Sequence, residues 1–339
     1  MKKKLRILFI CKDRNSSYGV SFGLINSCQF ICNELKRYDI ECKVIQVQDN
    51  NCIDREVHSY KPTHVFIEAL WVIPEKFHVL LPLYPKVEWY VRVHSKIPFI
   101  AHEGMAIDWF KGYQKIMKHH KNFHISANNM DIVESLYRAF NIRVCYHPNI
   151  YHPPDYYLGP KTHKQDTKYV DIGCFGAIRP MKNQLYQALA AIAFGNEIHK
   201  SIRFHINADR VEQKGDTVLK NIKHAFEGTP HTLVCHKWLN HKDFIKLVRT
   251  MELGMQVSFS ETFNIVAADF VWNGIPVVCS PEMEWMSFLY KANTNSLNSI
   301  VTKLYIAYYG RKINLQYINK LCLDQYNYKA TMTWLEPLI

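Results

Sequence analysis

Short apolar runs alternate with longer stretches of mixed polarity along the first half of the chain. A run of about four to eight apolar residues bounded by turn signals is typical of a buried strand, and apolar positions at helical spacing indicate an amphipathic helix. The pattern predicts one helix from a loop over residues 15–23 to about Arg37 and another over residues 130–140. It predicts strands at residues 7–11, 42–47, 64–68, 87–93 and 123–126.

The same alternation resumes after a loop-like stretch at residues 151–168. Strands are predicted at residues 170–175, 202–208, 231–235 and 254–258, and helices at 183–194, 215–226 and 241–251. Alternating strands and helices imply parallel sheets covered on both faces. We therefore predict an α/β protein with an N-terminal domain over residues 1–150, a linker over 151–168 and a C-terminal domain over 169–315. A final helical segment, residues 316–339, can pack back on the first domain.

The composition agrees with two compact domains and narrows the class of protein. The chain has 339 residues, of which 48% are hydrophobic, enough for two buried cores. Its ten Cys residues show no paired metal-binding spacing, so we expect reduced, structural thiols. The apolar run near the N-terminus is too short for a signal peptide, and no run has the length of a membrane-spanning helix. These features predict a cytoplasmic protein.

Two carboxylates, Glu261 and Asp269, stand eight positions apart in the most informative segment of the chain, residues 258–278. We expect Glu261 in a loop after a strand, and a helix from about Asn264. Eight residues are slightly more than two helical turns, so both carboxylates can lie on one side of the helix start. Carboxylates accept hydrogen bonds from vicinal hydroxyls, and backbone N–H groups at a helix N-terminus can hold a phosphate. The segment can therefore bind both ends of a nucleotide sugar.

This segment resembles the nucleotide-binding signature of the retaining GT-B glycosyltransferases, the glycogen-synthase-like group of the family-4 type. Their pattern is Ser-x-x-Glu-x-Phe-Gly, then a second Glu eight residues after the first, then Gly-x-Pro-Val. The matching positions include Glu261, Phe263, Gly274 and Pro276. Two depart from it: Asn264 stands where Gly is usual, and Asp269 stands where the second Glu is usual. Asp keeps the charge but has one methylene less of reach.

A second match lies upstream, between residues 171 and 184. It resembles the Gly-x-x-x-x-x-Arg-x-x-Lys-Asn pattern that opens the second domain in this family, with Gly173, Arg179, Lys182 and Asn183 at the matching positions. The resemblance implies that Arg179 and Lys182 bind the diphosphate. A fixed Arg and a Lys can stabilise the charge on a leaving diphosphate without a metal. The chain has no Asp-x-Asp triplet, so we expect no metal at the diphosphate. We expect no cofactor other than the nucleotide-sugar co-substrate. The expected nucleotide of this co-substrate is UDP.

The resemblance also implies roles for other residues. His94 ends a predicted strand where members of this family often have a His that faces the donor sugar, and we predict that His94 and Glu261 are catalytic. The implied fold is GT-B, with two Rossmann-like domains facing across a cleft, and the implied outcome is retention of configuration. The predicted donor-binding residues are Gly19, Gly23, Arg179, Lys182, Glu261, Thr262, Phe263, Asn264 and Asp269.

Simpler explanations of the same residues stay open. Glu261 can be a helix-start carboxylate favoured by the macrodipole, and Asp269 can be a solvated helix residue. Arg179 and Lys182 can be ordinary loop cations. His94 can be a structural residue bonded to backbone, and the two glycines of the first loop can be turn residues.

The net charge of +12 is unusual for an enzyme that acts on small neutral acceptors. The densest basic run covers residues 111–124, where three lysines fall on one predicted helix face beside aromatic residues: Trp109, Phe110 and Tyr113. The run can be a solvated basic face, a nucleic-acid surface or an anionic-membrane surface. A basic face beside exposed aromatics suits either of the last two. We predict that the nucleic-acid contacts are made by Lys111, Lys115, Lys118 and Lys121.

Residues 68–77, 91–99 and 101–109 resemble glycosyltransferases of tailed bacteriophages. Some of those enzymes put sugars on hydroxymethylated bases in DNA, so the resemblance favours DNA as the acceptor and the host cytoplasm as the location. Basic residues would grip the phosphates of the duplex. Two alternatives stay open: a cell-envelope glycosyltransferase at an anionic membrane surface, and a non-catalytic protein that binds a sugar nucleotide or DNA on the same scaffold. No protein partner is implied.

Overall fold

The computed structural model describes residues 5–13, 23–156, 158 and 168–336, and the chain divides into two compact units. The first unit comprises Met1–Pro154 and Tyr326–Ile339, and the second comprises Asp155–Gln325. The chain therefore leaves the first unit once and returns to it through its last helix.

The first unit contains a six-stranded parallel sheet. Its strands are β1 (Arg6–Lys12), β2 (Glu41–Val47), β3 (His64–Glu68), β4 (Glu88–Val93), β5 (Phe123–Ala127) and β6 (Val144–Tyr146). They lie in the order β2-β1-β3-β4-β5-β6. The helices are α1 (Gly23–Lys36), α2 (Ile53–Tyr60), α3 (Pro74–Leu83), α4 (Ile97–Ile100), α5 (Ala106–His119) and α6 (Met130–Phe140).

Strand β1 is buried on both faces, which explains its continuous apolar sequence. Leu8 and Ile10 join one core cluster, and Ile7 and Phe9 join the other. Because successive side chains of a strand point to opposite faces, one short run contributes to both layers. Because all six strands are parallel, their carboxyl ends lie at the same edge of the sheet.

The second unit contains a five-stranded parallel sheet. Its strands are β7 (Tyr169–Gly173), β8 (Ser201–Asn207), β9 (Thr232–His236), β10 (Leu253–Gln256) and β11 (Val277–Cys279), in the order β11-β10-β7-β8-β9. The helices are α7 (Gln184–Glu197), α8 (Gly215–Phe226), α9 (His241–Val248), α10 (Ile265–Trp272) and α11 (Leu297–Gly310). The last helix, α12 (Tyr317–Leu335), crosses from the second unit into the first.

The predicted α/β class is confirmed, and every predicted strand is present with its ends within two residues of the prediction. The final turns of α12 complete the core of the first unit. Trp334 packs against Phe9 and Phe66, and its indole N–H donates to the carbonyl of Pro148 at 2.8 Å. None of the helices in the described ranges is both long enough and apolar enough to cross a membrane.

Candidate functional site

The loop after β7 carries the first predicted phosphate-binding motif. At the end of this strand, a Cβ on Gly173 would lie 2.5 Å from the ring of Phe175 and 2.8 Å from that of Phe270, so only glycine fits. Gly176 has a φ of +114°, a conformation that favours glycine, and its N–H donates to Oδ1 of Asn207 at 3.0 Å. These contacts turn the chain sharply at the carboxyl end of the sheet, where ligands of such sheets bind.

A short 3₁₀ turn over Pro180–Lys182 then leads into α7. The residue between them, Asn183, is buried and left-handed, with a φ of 56°. Its side-chain amide donates to the carbonyls of Val257 at 3.2 Å and Thr294 at 3.1 Å. Because Val257 directly follows β10, these bonds fasten the Lys182 loop to the loop that contains Glu261.

Lys182 and Glu261 form an ion pair between these two loops. Oε2 of Glu261 also accepts from Nδ2 of Asn264 at 3.0 Å, and Oε1 accepts from the backbone N–H of Thr262 at 3.1 Å. Burial alone would raise the pKa of Glu261, but Lys182 and then Arg179 hold it below its usual value. The site therefore contains an ionised carboxylate, which can only accept hydrogen bonds.

Arg179 is part of a second ion-pair group in the same region. Its guanidinium lies 3.4 Å from Glu212, and the same carboxylate binds Arg210 at 2.8 Å. Arg179 and Lys182 thus lie on one loop, and each contacts a carboxylate. Two cations near the carboxyl end of a parallel sheet can bind a diphosphate.

The two departures from the family pattern have different structural roles. Asn264 has a φ of 60°, and its Oδ1 caps α10 by accepting from the N–H of Ala267 at 2.8 Å. Asp269 is 2% exposed and bonds to Nε2 of His241 at 2.8 Å, so the explanation of Asp269 as a solvated residue is wrong. Nδ1 of His241 in turn lies 3.1 Å from the hydroxyl of Tyr156. The ribose contact of Asp269 stays a prediction.

Phe263 serves the packing of the Glu261 loop. It is 3% exposed, its ring lies 5.6 Å from that of Trp285, and its carbonyl accepts from the indole N–H of that residue at 2.7 Å. A buried backbone carbonyl needs such a donor. Of the two glycines predicted to approach the donor, Gly23 is an exposed residue that begins α1, whereas Gly19 lies outside the described residues.

His94 lies just after β4 and bonds to a buried carboxylate that the sequence did not indicate. Its Nε2 is 2.5 Å from Oε2 of Glu68, which ends β3, and Arg92 contacts the same oxygen at 3.1 Å. Both Glu68 and Arg92 are 0% exposed. The available signal was a charged residue within or at the end of an otherwise apolar strand, because charges are rarely buried without a partner.

The structure corrects one prediction about the basic run. All four of its lysines are exposed, on α5 or just after it, namely Lys111, Lys115, Lys118 and Lys121. The neighbouring aromatics are not exposed: Phe110 and Tyr113 are fully buried, and Trp109 packs partly against the core. The hydroxyl of Tyr113 donates to the carbonyl of Val72. The expectation of exposed aromatics was wrong because they lie on the core-facing side of an amphipathic helix.

Among the residues that the structure describes, no group of three or more His, Cys, Asp or Glu side chains is arranged to hold a metal ion.

No protein-family model matches the chain, and no curated protein matches its sequence. Solved structures match most of its length at low identity. Trehalose-6-phosphate synthase OtsA matches with a TM-score of 0.66 at 12% identity, over 98% of each chain. Alr3699/HepE of Anabaena, solved with UDP and glucose, matches with a TM-score of 0.65 at 12% identity, over 98% of this chain and 99% of that one. A structure of trehalose-6-phosphate synthase from work on glycosyltransfer with retention matches with a TM-score of 0.60 at 12% identity, over 96% and 84%.

At such identity these similarities establish the fold alone, because one fold can carry many functions. The protein has the GT-B fold, with two Rossmann-like units, so the predicted fold is confirmed. The family-4 type and the relation to bacteriophage enzymes stay predictions.

Proposed function

We propose that this protein is a glycosyltransferase that uses a nucleotide sugar with UDP as its nucleotide. The observation that carries the proposal is the ion pair between Lys182 and Glu261, which brings a cation and an ionised carboxylate together at the carboxyl ends of β7 and β10. A cation suits the diphosphate and a carboxylate suits the sugar hydroxyls. The similarity to HepE, whose structure contains UDP and glucose, supports this assignment.

In the proposed reaction, Arg179 and Lys182 bind the diphosphate and stabilise its charge as it leaves. Glu261 accepts hydrogen bonds from the donor sugar and orients it, while Asp269 binds the ribose. The acceptor hydroxyl forms a bond to the anomeric carbon on the face from which the diphosphate departs, and its proton passes to the leaving phosphate oxygen. This course retains configuration and needs no metal. The structure of trehalose-6-phosphate synthase from work on glycosyltransfer with retention supports this course.

We infer that the acceptor is a hydroxymethylated base in DNA. The net charge of +12 and the exposed lysines of α5 support a polyanionic acceptor. Reversing two charges, Lys115→Glu with Lys118→Glu, should weaken DNA binding and reduce the slope of log K against log salt by about 0.9 for each lost phosphate contact. The matched control is Lys220→Glu with Lys223→Glu, an equal charge change on the exposed surface of α8. Equal slopes in both variants would contradict the α5 assignment.

The decisive experiment offers a panel of UDP-sugars together with plain or hydroxymethylcytosine-containing duplex DNA. A mass increase on the modified DNA alone is the expected result, and it identifies the sugar. Release of UDP without DNA modification would contradict the DNA acceptor but keep the enzyme class, and anionic lipid vesicles or glycans would then be offered. No UDP release from any donor would contradict the proposed function.

The Glu261→Gln variant tests whether turnover depends on the Glu261 carboxylate. Removing the negative charge while keeping the shape should abolish transfer, because the neutral amide is a weaker acceptor and presents N–H groups to the sugar. Glu227→Gln is the matched control, since Glu227 is exposed in the same unit. Full activity of the Glu261 variant would contradict the role of Glu261 in turnover, whereas loss of transfer would exclude a non-catalytic binding protein.

A further inference from the structure

A buried polar cluster lies at the carboxyl ends of four neighbouring strands of the first unit. We call it the strand-end cluster, and it comprises Glu68, Arg92, His94, Asn128 and Asn149. The guanidinium of Arg92 donates to Oδ1 of Asn149 at 2.6 Å and, through Nε, to the carbonyl of His147 at 2.9 Å. Arg92 is therefore held by Asn149 and by the carbonyl of His147, in addition to its contact with Glu68.

Glu68 determines which ring nitrogen of His94 carries the proton. Burial alone would raise the pKa of Glu68, but Arg92 and then His94 lower it below its usual value, so the carboxyl is ionised. An ionised carboxylate is an acceptor only. Nε2 of His94, 2.5 Å from Oε2 of Glu68, must therefore carry the hydrogen.

The other ring nitrogen faces a donor whose orientation is also fixed. The backbone N–H of Ile132 donates to Oδ1 of Asn129 at 3.0 Å, which leaves Nδ2 of Asn129 to donate to Oδ1 of Asn128 at 3.0 Å. Nδ2 of Asn128 is then the atom 3.4 Å from Nδ1 of His94. Since an amide NH₂ only donates, Nδ1 must have its lone pair available.

We propose that Glu68 is a positioning residue that holds His94 as the Nε2–H tautomer, so that Nδ1 accepts a hydrogen bond from a sugar hydroxyl. The proposal rests on the proposed function. A lone pair at Nδ1 attracts a hydroxyl and repels a phosphate oxygen, which assigns His94 to the sugar and not to the diphosphate. The present contact of 3.4 Å with Asn128 is long for a hydrogen bond, so a ligand hydroxyl can replace it.

The charge state of His94 agrees with this role. Burial, and then the adjacent Arg92, lower the pKa of His94, while Glu68 opposes the shift. The imidazole is consequently neutral at neutral pH and keeps its lone pair.

The first test reads the tautomer without any substrate. Two-bond ¹H–¹⁵N correlation spectra of histidine-labelled protein distinguish Nε2–H, Nδ1–H and imidazolium forms, and His94→Gln assigns the signals by their loss. A single Nε2–H form of His94 is expected. An Nδ1–H form or an imidazolium at neutral pH would overturn the proposal.

The second test removes the acceptor without leaving a buried charge unpaired. In the double variant Glu68→Leu with Arg92→Met, both charges are lost together, which avoids the penalty of removing one partner. We expect mixed tautomers and a kcat lower by on the order of 100-fold, as for a misplaced catalytic contact. The affinity for UDP should not change, because the residues assigned to the diphosphate lie in the second unit. The matched control is Glu34→Leu with Arg37→Met, another ion pair of the first unit.

The conservative variant Glu68→Gln completes the series. Its amide oxygen can take the place of Oε2, so the Nε2–H form and part of the activity should be kept. Wild-type kcat in the folded double variant would overturn the positioning role. If the double variant does not fold, wild-type kcat in a Glu68→Gln protein that has lost the Nε2–H form would overturn the role instead. A wild-type protein with no turnover would contradict the proposed function, whereas the tautomer is measured independently of turnover.

Discussion

Asn264 has a left-handed backbone conformation, with a φ of 60°. Gly adopts this region freely, and Asn tolerates it better than most residues because its short polar side chain bonds locally. Here Oδ1 caps α10, while Nδ2 donates to Glu261 at 3.0 Å and to Gln256 at 2.9 Å. One side chain therefore holds both the start of a helix and the carboxylate assigned to the sugar.

We expect Asn264→Ala to destabilise the protein by about 2 kcal/mol, because it loses a cap worth about 1 kcal/mol and adds left-handed strain of about 1 kcal/mol. Asn264→Gly should cost less, since glycine relieves the strain. Urea denaturation of both variants measures the difference. A glycine variant no more stable than the alanine variant would contradict this explanation.

Lys182→Met should weaken UDP binding by about tenfold or more, because a charge-assisted contact is worth about 1.5–3 kcal/mol. The pKa of Glu261 should also rise, since burial would no longer be opposed by the adjacent ammonium. Calorimetric titration with UDP measures the first effect. Lys246→Met, at an exposed position of the same unit, is the control. Equal affinity in the two variants would argue against a diphosphate site at Lys182.

Helix α12 stabilises the first unit through one large side chain. Trp334→Ala removes a 1% exposed indole that packs on Phe9 and Phe66, and such truncations cost about 3–5 kcal/mol. Tyr328→Ala, on the exposed side of the same helix, should change stability by less than about 0.5 kcal/mol. Denaturant unfolding of both variants measures the contrast. Similar stabilities would mean that α12 contributes little to that core.

The elements that could be predicted from the sequence are those with a clear period or a long apolar run. Strand β1 is recognisable because both of its faces are buried. Strands β6 and β11 have three residues each, too few to show a period, and were not predicted. The predicted helix over residues 241–251 ends earlier, at Val248, consistent with the low accuracy of sequence-based boundaries.

The candidate site was predictable only where its residues form local motifs. Lys182 and Glu261 each lie in a short recognisable segment, and the structure brings the two segments together. Glu68 and Arg92 come from different strands and have no fixed spacing. Their pairing depends on the parallel register in which Glu68 lies beside Arg92, which hydropathy does not specify.

The stability of the whole protein should depend on pH through buried histidines. Burial, and then Arg92, lower the pKa of His147 to about 3, against about 6.5 for an unfolded His. Between these values the unfolded chain binds a proton that the folded protein does not. The stability that the neutral His147 contributes is therefore fully present above about pH 6.5. The free energy of unfolding falls as the pH falls below that value.

His147→Gln should reduce the slope of the free energy of unfolding against pH between about pH 5 and 6.5. The reduction should be up to about 1.4 kcal/mol per pH unit, the value for one bound proton. Denaturant unfolding at several pH values gives the slope. His224→Gln, at an exposed position, is the control. A slope in the His147 variant equal to that of wild type would show that His147 is not the group responsible.

The return of α12 to the first unit has a consequence for synthesis on the ribosome. The chain emerges in order, so β1 and β3 are available long before Trp334, which their Phe9 and Phe66 contact. The first unit therefore stays incomplete until Trp334 has been synthesised, whereas Asp155–Gln325 is synthesised without interruption. Domains usually fold in N-terminal to C-terminal order during translation. We expect the reverse order of folding here. The second unit folds first, and the core side chains of β1 and β3 pack fully only when Trp334 reaches them.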